Sequence, residues 1–369
     1  MMLNSVFAGK RLLNTRQPLR TTGGGLSMAL SSDIGIDLGT ATILVFVRGK
    51  GIVLNEPSVV AIGQQTQRVL AIGAEAQRML GRTPGNIVAV RPLKEGVIAD
   101  FDITEIMLKH YITKACQKRR FFRPRVVVCI PAGTTTVEQK AVIEAISRTG
   151  ARETYLIEEP RAAALGAGLD VFEPSGNMVV DIGGGTSDIA VISMGEIVES
   201  TSVRVGGDKF DEAIVRYIKK EYNVLIGERT AEQLKIAIGS AHPGSRSLQA
   251  EVRGRDLVTG LPRSLTVTTQ QVVQALEEPL QIILQGVKQV LERTPPELAG
   301  DIIERGVVLT GGGALLDGFT RFLSQETEVP FYLAEDPISC VVKGTAIVLD
   351  NMNQLQESLI SSRKVASSF

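Results

Sequence analysis

Two carboxylates of this chain stand in matched surroundings. Ile36-Asp37-Leu38-Gly39-Thr40-Ala41-Thr42 runs into apolar Ile43-Leu44-Val45-Phe46-Val47, and Val180-Asp181-Ile182-Gly183-Gly184-Gly185-Thr186-Ser187-Asp188 runs into Ile189-Ala190-Val191-Ile192. Each reads as an apolar strand, an aspartate, a turn of glycine and hydroxyl residues, and a second apolar strand. A glycine turn lets backbone N–H groups approach phosphate oxygens closely, because no Cβ stands in the way. Thr40, Thr42, Thr186 and Ser187 add hydroxyl donors. An aspartate beside phosphate needs a cation between them, and Mg2+ takes one or two carboxylates together with phosphates and retained waters. Asp37 and Asp181 are therefore candidate holders of Mg2+ through its bound water. A single Asp-x-Gly is an ordinary tight turn. Two in matched context, at domain-sized separation, point to paired jaws around a charged ligand. A third run, Gly311-Gly312-Gly313, follows Val307-Val308-Leu309-Thr310. It reads either as a plain strand-to-helix turn or as backbone contact to a nucleotide at a helix N-terminus. The chain has no GxxxxGK[ST], and its glycine clusters lack the GxGxxG spacing, so it is neither a P-loop protein nor a dinucleotide fold of that type.

The elements that must position these turns alternate between strand and helix from Asp33 onward. Residues 59–62 and 69–73 read as short strands, 126–130 as a buried strand ended by Pro131, and 155–157 as another. Helical spacing predicts a helix over 104–116 with Ile106, Leu108, Tyr111, Ile112 and Ala115 inward. It predicts a second over 136–149, with Val137, Ala141, Val142, Ala145 and Ile146 inward and Gly150 closing it. In the second half, 208–222 reads as a helix on Phe210, Ile214, Tyr217 and Ile218. Residues 271–291 read as a long helix carrying Val272, Leu276, Leu280, Ile283, Val287 and Val290, with a kink expected at Pro279. A last helix is expected from about Ala314. Hairpin, strand and helix recur in the same order in both halves. That implies a duplicated α/β fold with the ligand in the cleft between the halves.

Composition sets the outer limits. A chain of 369 residues accommodates two domains, and 44% apolar content supports packed cores. Forty basic and forty acidic residues cancel, with no long basic stretch, which argues against a general nucleic-acid binder. Cys116, Cys129 and Cys340 lie far apart without disulfide or zinc spacing, as suits a reducing cytoplasm. His110 and His242 have no clustered partner and read as structural or exposed. No apolar run approaches the about 20 residues that span a bilayer.

Two segments nevertheless suggest a membrane surface. The first thirty residues are basic and mildly apolar, too polar for a secretory signal, and break at Gly23-Gly24-Gly25. They read as an interfacial amphipathic anchor, a disordered tail, or a stretch preceding a true start at Met28. Arg119-Arg120-Phe121-Phe122-Arg123-Pro124-Arg125 places two adjacent rings among arginines. Rings in acyl chains with arginines at anionic headgroups satisfy both residue types, whereas a packed loop satisfies only one ring.

These motifs carry a family resemblance. Asp37-Leu38-Gly39-Thr40, Asp181-Ile182-Gly183-Gly184-Gly185-Thr186 and Leu309-Thr310-Gly311-Gly312-Gly313 resemble the two phosphate motifs and the adenosine motif of the actin and sugar-kinase superfamily. Within it the chain is similar to the MreB family of bacterial actin homologues. The similarity runs in order through 55–62 (Asn-Glu-Pro-Ser-Val-Val-Ala-Ile), 81–86, 91–100, Ile157-Glu158-Glu159-Pro160, 253–257, 294–298 and 334–337, covering about 33–350.

The resemblance implies ATP with Mg2+ in the cleft. By motif, Gly39, Thr40, Ala41 and Thr42 fall on the first phosphate loop and Gly183, Gly184 and Gly185 on the second. Glu232, Gln233, Leu234 and Lys235 fall on the ribose and adenine side, and Gly311, Gly312, Gly313 and Ala314 on the last loop. Glu138 is the expected water-orienting carboxylate with Thr186 as its helper, and Glu144 and Glu158 are weaker alternatives. Thr42 stands where the family commonly has Asn, and Ser187-Asp188 where Thr-Glu is common, which bears on hydrolysis rate rather than on binding. The implied fold is duplicated and actin-like, with a mixed sheet and flanking helices in each domain. The implied divisions are a tail over 1–30, domain I over 31–173 and 343–360 with a subdomain at about 61–93, domain II over 174–342 with a subdomain at about 210–273, and a tail over 361–369. The implied activity is slow ATP hydrolysis coupled to homopolymeric paired filaments. Those filaments would lie in the cytoplasm on the inner membrane face, held partly by Phe121 and Phe122, and organise cell-wall elongation proteins to maintain rod shape. The alternatives are a chaperone-type ATPase, which shares the Glu159-Pro160 region but would need a substrate domain after Asp350, and a small-metabolite kinase.

Overall fold

The computed structural model describes residues 33–66, 68–116, 123–355 and 359–361. In the first half, β1 (Ile34–Leu38), β2 (Thr42–Val47) and β3 (Gly51–Pro57) form a meander, followed by β4 (Val60–Gly63), β5 (Val69–Ile72), α1 (Ala74–Met79) and β6 (Ile87–Val90). A two-residue turn joins β7 (Leu93–Lys94) to β8 (Val97–Ile98), and α2 (Phe101–Cys116), β9 (Arg125–Ile130), α3 (Thr136–Arg148), β10 (Glu153–Glu158) and α4 (Glu159–Gly166) follow. The second half opens with β11 (Asn177–Ile182), β12 (Ser187–Ser193), β13 (Glu196–Val203) and α5 (Gly207–Tyr222). Then come β14 (Val224–Leu225), α6 (Glu228–Ile238), β15 (Gln249–Asp256), β16 (Pro262–Thr268), α7 (Thr269–Arg293) and α8 (Pro296–Arg305). The half ends with β17 (Val307–Thr310), α9 (Phe319–Thr327) and β18 (Phe331–Leu333), after which α10 (Cys340–Asp350) and β19 (Ile360–Ser361) return to the first half.

The duplication is explicit in strand order. One sheet runs β19-β10-β9-β1-β2-β3 and the other β13-β12-β11-β17-β18. In both, the leading strand pairs antiparallel with the next strand in sequence and parallel with a later one: β1 with β2 and β9, β11 with β12 and β17. These central strands are buried on both faces, with Ile34, Ile36, Val180 and Ile182 at 0% exposure, so β-branched residues recur along them instead of alternating with polar ones. Smaller sheets, β5-β4-β6 and β14-β15-β16, extend from the two halves.

Helices fill the space between the sheets. Val127, Cys129 and Ile157 of one sheet, Ala162, Ala163 and Ala164 of α4, Val341 and Val348 of α10, and Val179, Ala190 and Ile192 of the other sheet form one buried cluster. Small residues let α4 and α10 approach closely. A Cβ added at Gly166 would lie 1.8 Å from the Cys340 carbonyl oxygen, and one at Gly344 1.9 Å from that of Ala162. Adding even a methyl group to such a contact forces a backbone shift.

Helix ends follow local chemistry. Thr135 and Glu138 form a reciprocal capping box at the start of α3, and Thr268 and Gln271 do the same for α7, which continues through Pro279 to Arg293. Three expectations need correction. Ile106 and Val137 face outward at 43% and 74% exposure, because each lies on the side of its helix opposite the buried residues, Thr104, Met107, Leu108 and Tyr111 in α2 and Val142, Ile143 and Ile146 in α3. The helix expected from Ala314 is a single 3-10 turn, Gly312–Leu315, and α9 starts only after Gly318 adopts left-handed backbone. Among the described residues no helix is long and apolar enough to cross a membrane. The 1–30 segment, Phe121 and Phe122 lie outside the described residues.

Candidate functional site

The β1–β2 and β11–β12 turns meet at one cavity of about 440 Å3 between the two sheets. The first turn is strapped from behind by Ser58, fully buried, whose hydroxyl donates to the Gly39 carbonyl at 2.6 Å and whose N–H donates to the Ala41 carbonyl at 3.0 Å. The second turn is held by α5, whose Gly207 and Asp208 N–H groups donate to the Gly183 and Gly184 carbonyls at 3.0 and 2.9 Å. The turns touch because the second lacks side chains. A Cβ at Gly184 would fall 2.5 Å from the Ala41 Cβ, and one at Gly185 2.5 Å from Thr40 Oγ1. Asp37, Gly39, Thr40, Ala41 and Thr42 line the cavity from one side and Asp181, Gly183, Gly184, Gly185 and Thr186 from the other.

The cavity floor is acidic and poorly hydrated. Loss of hydration, then repulsion from Asp181, pushes the Asp37 carboxyl up to about 8. Desolvation raises Asp181 to about 7, against the opposing pull of the Thr310 hydroxyl, which donates to Asp181 Oδ1 at 2.6 Å. Burial raises Asp188 to about 6 although the Ala132 N–H donates to its Oδ1 at 2.7 Å, and burial with repulsion from Asp188 drives Glu159 well above the carboxylate range. Protonation or a cation would relieve such a cluster. Among the described residues no group of three or more His, Cys, Asp or Glu side chains is arranged to hold a metal. The two aspartates therefore suit an ion that keeps its own waters and takes further oxygens from a phosphate ligand.

The far wall comes from α6 and the turn after β17. Lys235 Nζ lies 2.9 Å from Asp211 Oδ1 and donates to the Gly207 carbonyl at 3.0 Å, so it also braces the start of α5. Glu232 and Lys235 line the cavity, as do Gly311, Gly312 and Gly313. Leu234 and Ala314, expected beside them, belong to the buried core at 2% and 3% exposure, because they point to the opposite face of their turns, and Gln233 is not among the lining residues.

Glu138 is not brought to this cavity. It lines a neighbouring one of about 330 Å3 with Glu95, Arg204 and Thr186, the last shared by both cavities. Its Oε2 accepts from the Thr135 N–H at 2.8 Å and hydroxyl at 2.7 Å, which holds its carboxyl below the usual range. Glu144 pairs with Arg148 on an exposed helix face. Glu159 was missed as a site residue. It lines the main cavity at the point where parallel strand β10 passes into α4, and the carboxyl ends of parallel strands are where such sheets bind ligands. That rule, applied to Glu158-Glu159-Pro160, would have found it. Asp208, Ile236, Arg246, Leu315, Asp317 and Ile338 also line the cavity without a local motif to mark them.

Comparison with known proteins agrees with this geometry. Residues 31–357 match the model of the MreB/Mbl protein family. The chain is 58% identical over 329 residues to the cell shape-determining protein Mbl of Bacillus subtilis, covering 89% of this chain and 99% of that protein. It is 54% identical over 337 residues to the cell shape-determining protein MreB of Escherichia coli, covering 90% and 97%. The crystal structure of MreB5 of Spiroplasma citri bound to AMPPNP superposes with a TM-score of 0.85 at 38% identity, covering 89% and 99%. The MamK double helical filament, at 19% identity and a TM-score of 0.74 over 86% of this chain and 98% of that one, shares the fold. The fold is actin-like, and the chain belongs to the MreB/Mbl family.

Proposed function

We propose that this member of the MreB/Mbl family binds ATP with Mg2+, hydrolyses it slowly, and polymerises into a cell-shape-determining filament. The observation that carries the reading is the convergence of two Asp-Gly-hydroxyl turns, one from each half, on a single acidic cavity. The names of the relatives and the nucleotide in the similar MreB5 structure support it. The paired turns would receive the phosphates, with Thr40 and Thr186 as hydroxyl donors and Glu232 and Lys235 on the nucleoside side. Asp37 and Asp181 would hold Mg2+ through its waters. The ion, when bound, supplies charge neutralisation for the phosphates.

Phosphoryl transfer to water relies on positioning and charge stabilisation. Glu159 is the carboxylate placed for this, because it lines the same cavity as both turns, and a bound cation would offset the burial that favours its protonated form. Thr186 would orient the same water from the second turn. Glu138, the expected water-orienting carboxylate, would act only from the neighbouring cavity that shares Thr186, where it also caps α3. Filaments would lie on the inner face of the membrane, with Phe121, Phe122 and the 1–30 segment as its contacts, and would organise cell-wall synthesis there. Electron microscopy of the purified chain with Mg-ATP and anionic vesicles tests the reading, alongside phosphate release. Paired filaments on lipid with slow release support it. Dispersed protein with no release would refute it.

A further inference from the structure

The turn joining β7 to β8 has a conformation its sequence does not favour. Its two residues, Glu95 and Gly96, have φ of 50° and 78°. A two-residue hairpin with positive φ at both positions prefers Asn-Gly or Asp-Gly, and a glutamate there is strained. Strain of this kind persists where the surroundings fix it, often at functional sites.

The surroundings here belong to both halves of the molecule. The Gly96 N–H donates to Thr40 Oγ1 at 3.0 Å, on the first phosphate-side turn. A Cβ at Gly96 would meet Pro131 Cγ at 2.6 Å and Thr186 Cγ2 at 2.9 Å, and one at Gly185 would meet the Glu95 Cα at 3.0 Å. The Glu95 carboxylate lies 3.6 Å from Lys209 Nζ and 3.7 Å from Arg204 Nη1, both on the second half. Gly96 lines the main cavity and Glu95 the neighbouring one, so this tip is the partition between them.

We propose that Glu95 is a positioning residue for ATP hydrolysis: its pairing with Lys209 and Arg204 seats the hairpin tip, and through the Gly96 N–H the tip fixes the hydroxyl of Thr40. The inference rests on the ATPase reading above and adds a device that links Thr40 to α5 of the opposite half. Accepting from Gly96 fixes the position of the Thr40 oxygen and leaves its proton available to donate to a ligand in the cavity that Thr40 lines. Releasing the tip lets Thr40 rotate, and loss of positioning lowers the rate of a step that depends on it.

The test uses Glu95→Asn in the full chain, because asparagine accepts the left-handed backbone while removing the charge. Single-turnover phosphate release should fall about three- to tenfold, while ATP affinity stays within about twofold and thermal stability is kept. Glu95→Asp, which keeps the charge on a residue that accepts the left-handed backbone, should retain most of the parent rate, and a merely structural turn residue would not separate it from Glu95→Asn. Exchange of the Gly96 amide, followed without turnover in the presence of AMPPNP, should be about tenfold faster in Glu95→Asn. Unchanged amide exchange together with unchanged phosphate release would overturn the proposal. If the parent chain releases no phosphate, the ATPase reading has failed, and the amide exchange still decides whether Glu95 seats the tip.

Discussion

The two halves build the same turn and support it differently. In the first half the Asp37 turn is strapped by one buried serine from behind and by the Gly96 N–H in front. In the second half the Asp181 turn is pinned by the start of α5, and its aspartate receives the Thr310 hydroxyl. Among the described residues no side chain donates to Asp37. Burial raises both carboxyls, Asp37 to about 8 with repulsion from Asp181 added and Asp181 to about 7 with the Thr310 hydroxyl opposing it. Duplication supplied the geometry twice, and the unequal support leaves one jaw held by the start of a helix and the other by a buried serine and a hairpin tip of its own half, whose Glu95 reaches the opposite half.

The largest expected effect separates two carboxylates rather than two turns. Glu159→Gln should lower phosphate release on the order of 100-fold. Glu138→Ala should change it less than about threefold while lowering stability by about 1 kcal/mol through the lost cap. Single-turnover release and chemical denaturation read the two outcomes, and equal losses of rate would return Glu138 to the catalytic role.

The raised aspartates predict a pH dependence with a definite sign. In the nucleotide-free chain these carboxyls keep protons up to about 8 for Asp37 and about 7 for Asp181, whereas in the unfolded chain they titrate near 3.8. Between those limits the folded state binds more protons, so the associated stability is full below the unfolded value and is lost as pH rises through the folded one. The thermal midpoint without nucleotide should fall by several degrees between pH 6 and 8.5, and Mg-ATP should flatten the slope. A midpoint that rises over this range would show that burial does not raise the two carboxyls in the folded chain.

Two smaller changes sharpen the contrast between the halves. Thr310→Val removes the donor that distinguishes Asp181 and should weaken Mg-ATP binding about tenfold, making the second jaw resemble the first. Titration calorimetry checks this, and unchanged affinity would show that the hydroxyl does not tune Asp181. Ser58→Ala removes the hydroxyl bond of the strap, leaving the Ser58 N–H bond to Ala41, and should cost about 1–2 kcal/mol of stability with ATP affinity lowered less than fivefold. A denaturation midpoint equal to that of the parent would mean that the backbone bond to Ala41 and the Gly96 contact hold the turn without the hydroxyl.

Much of this was legible in the order of residues. The two hairpins announced themselves because a fully buried strand must be continuously apolar, so Asp37 and Asp181 stood out as exceptions with the same neighbours. Helix faces were read correctly where a helix lies flat on its sheet, as with Val272 to Val290 in α7. They failed at Ile106 and Val137, which the helical period itself sets on the far side from buried Leu108 and Ile146. Leu234 and Ala314 were taken with their motifs as blocks, although consecutive residues on a helical turn face different ways. Glu159 was legible from its place just after a parallel strand, whereas Arg246 and Asp317 reach the cavity only through packing between distant segments, which no local pattern encodes.

The central claim is that one cation is shared by two turns from opposite halves. The direct measurement is ATP affinity with Mg2+ and with chelator for the parent, Asp37→Asn, Asp181→Asn and the double variant. The account predicts that Mg2+ tightens binding to the parent at least about tenfold, that either single variant loses this advantage, and that the double variant loses no more, because both residues serve the same ion. Full retention of the Mg2+ advantage in either single variant, or losses that add in the double variant, would contradict it.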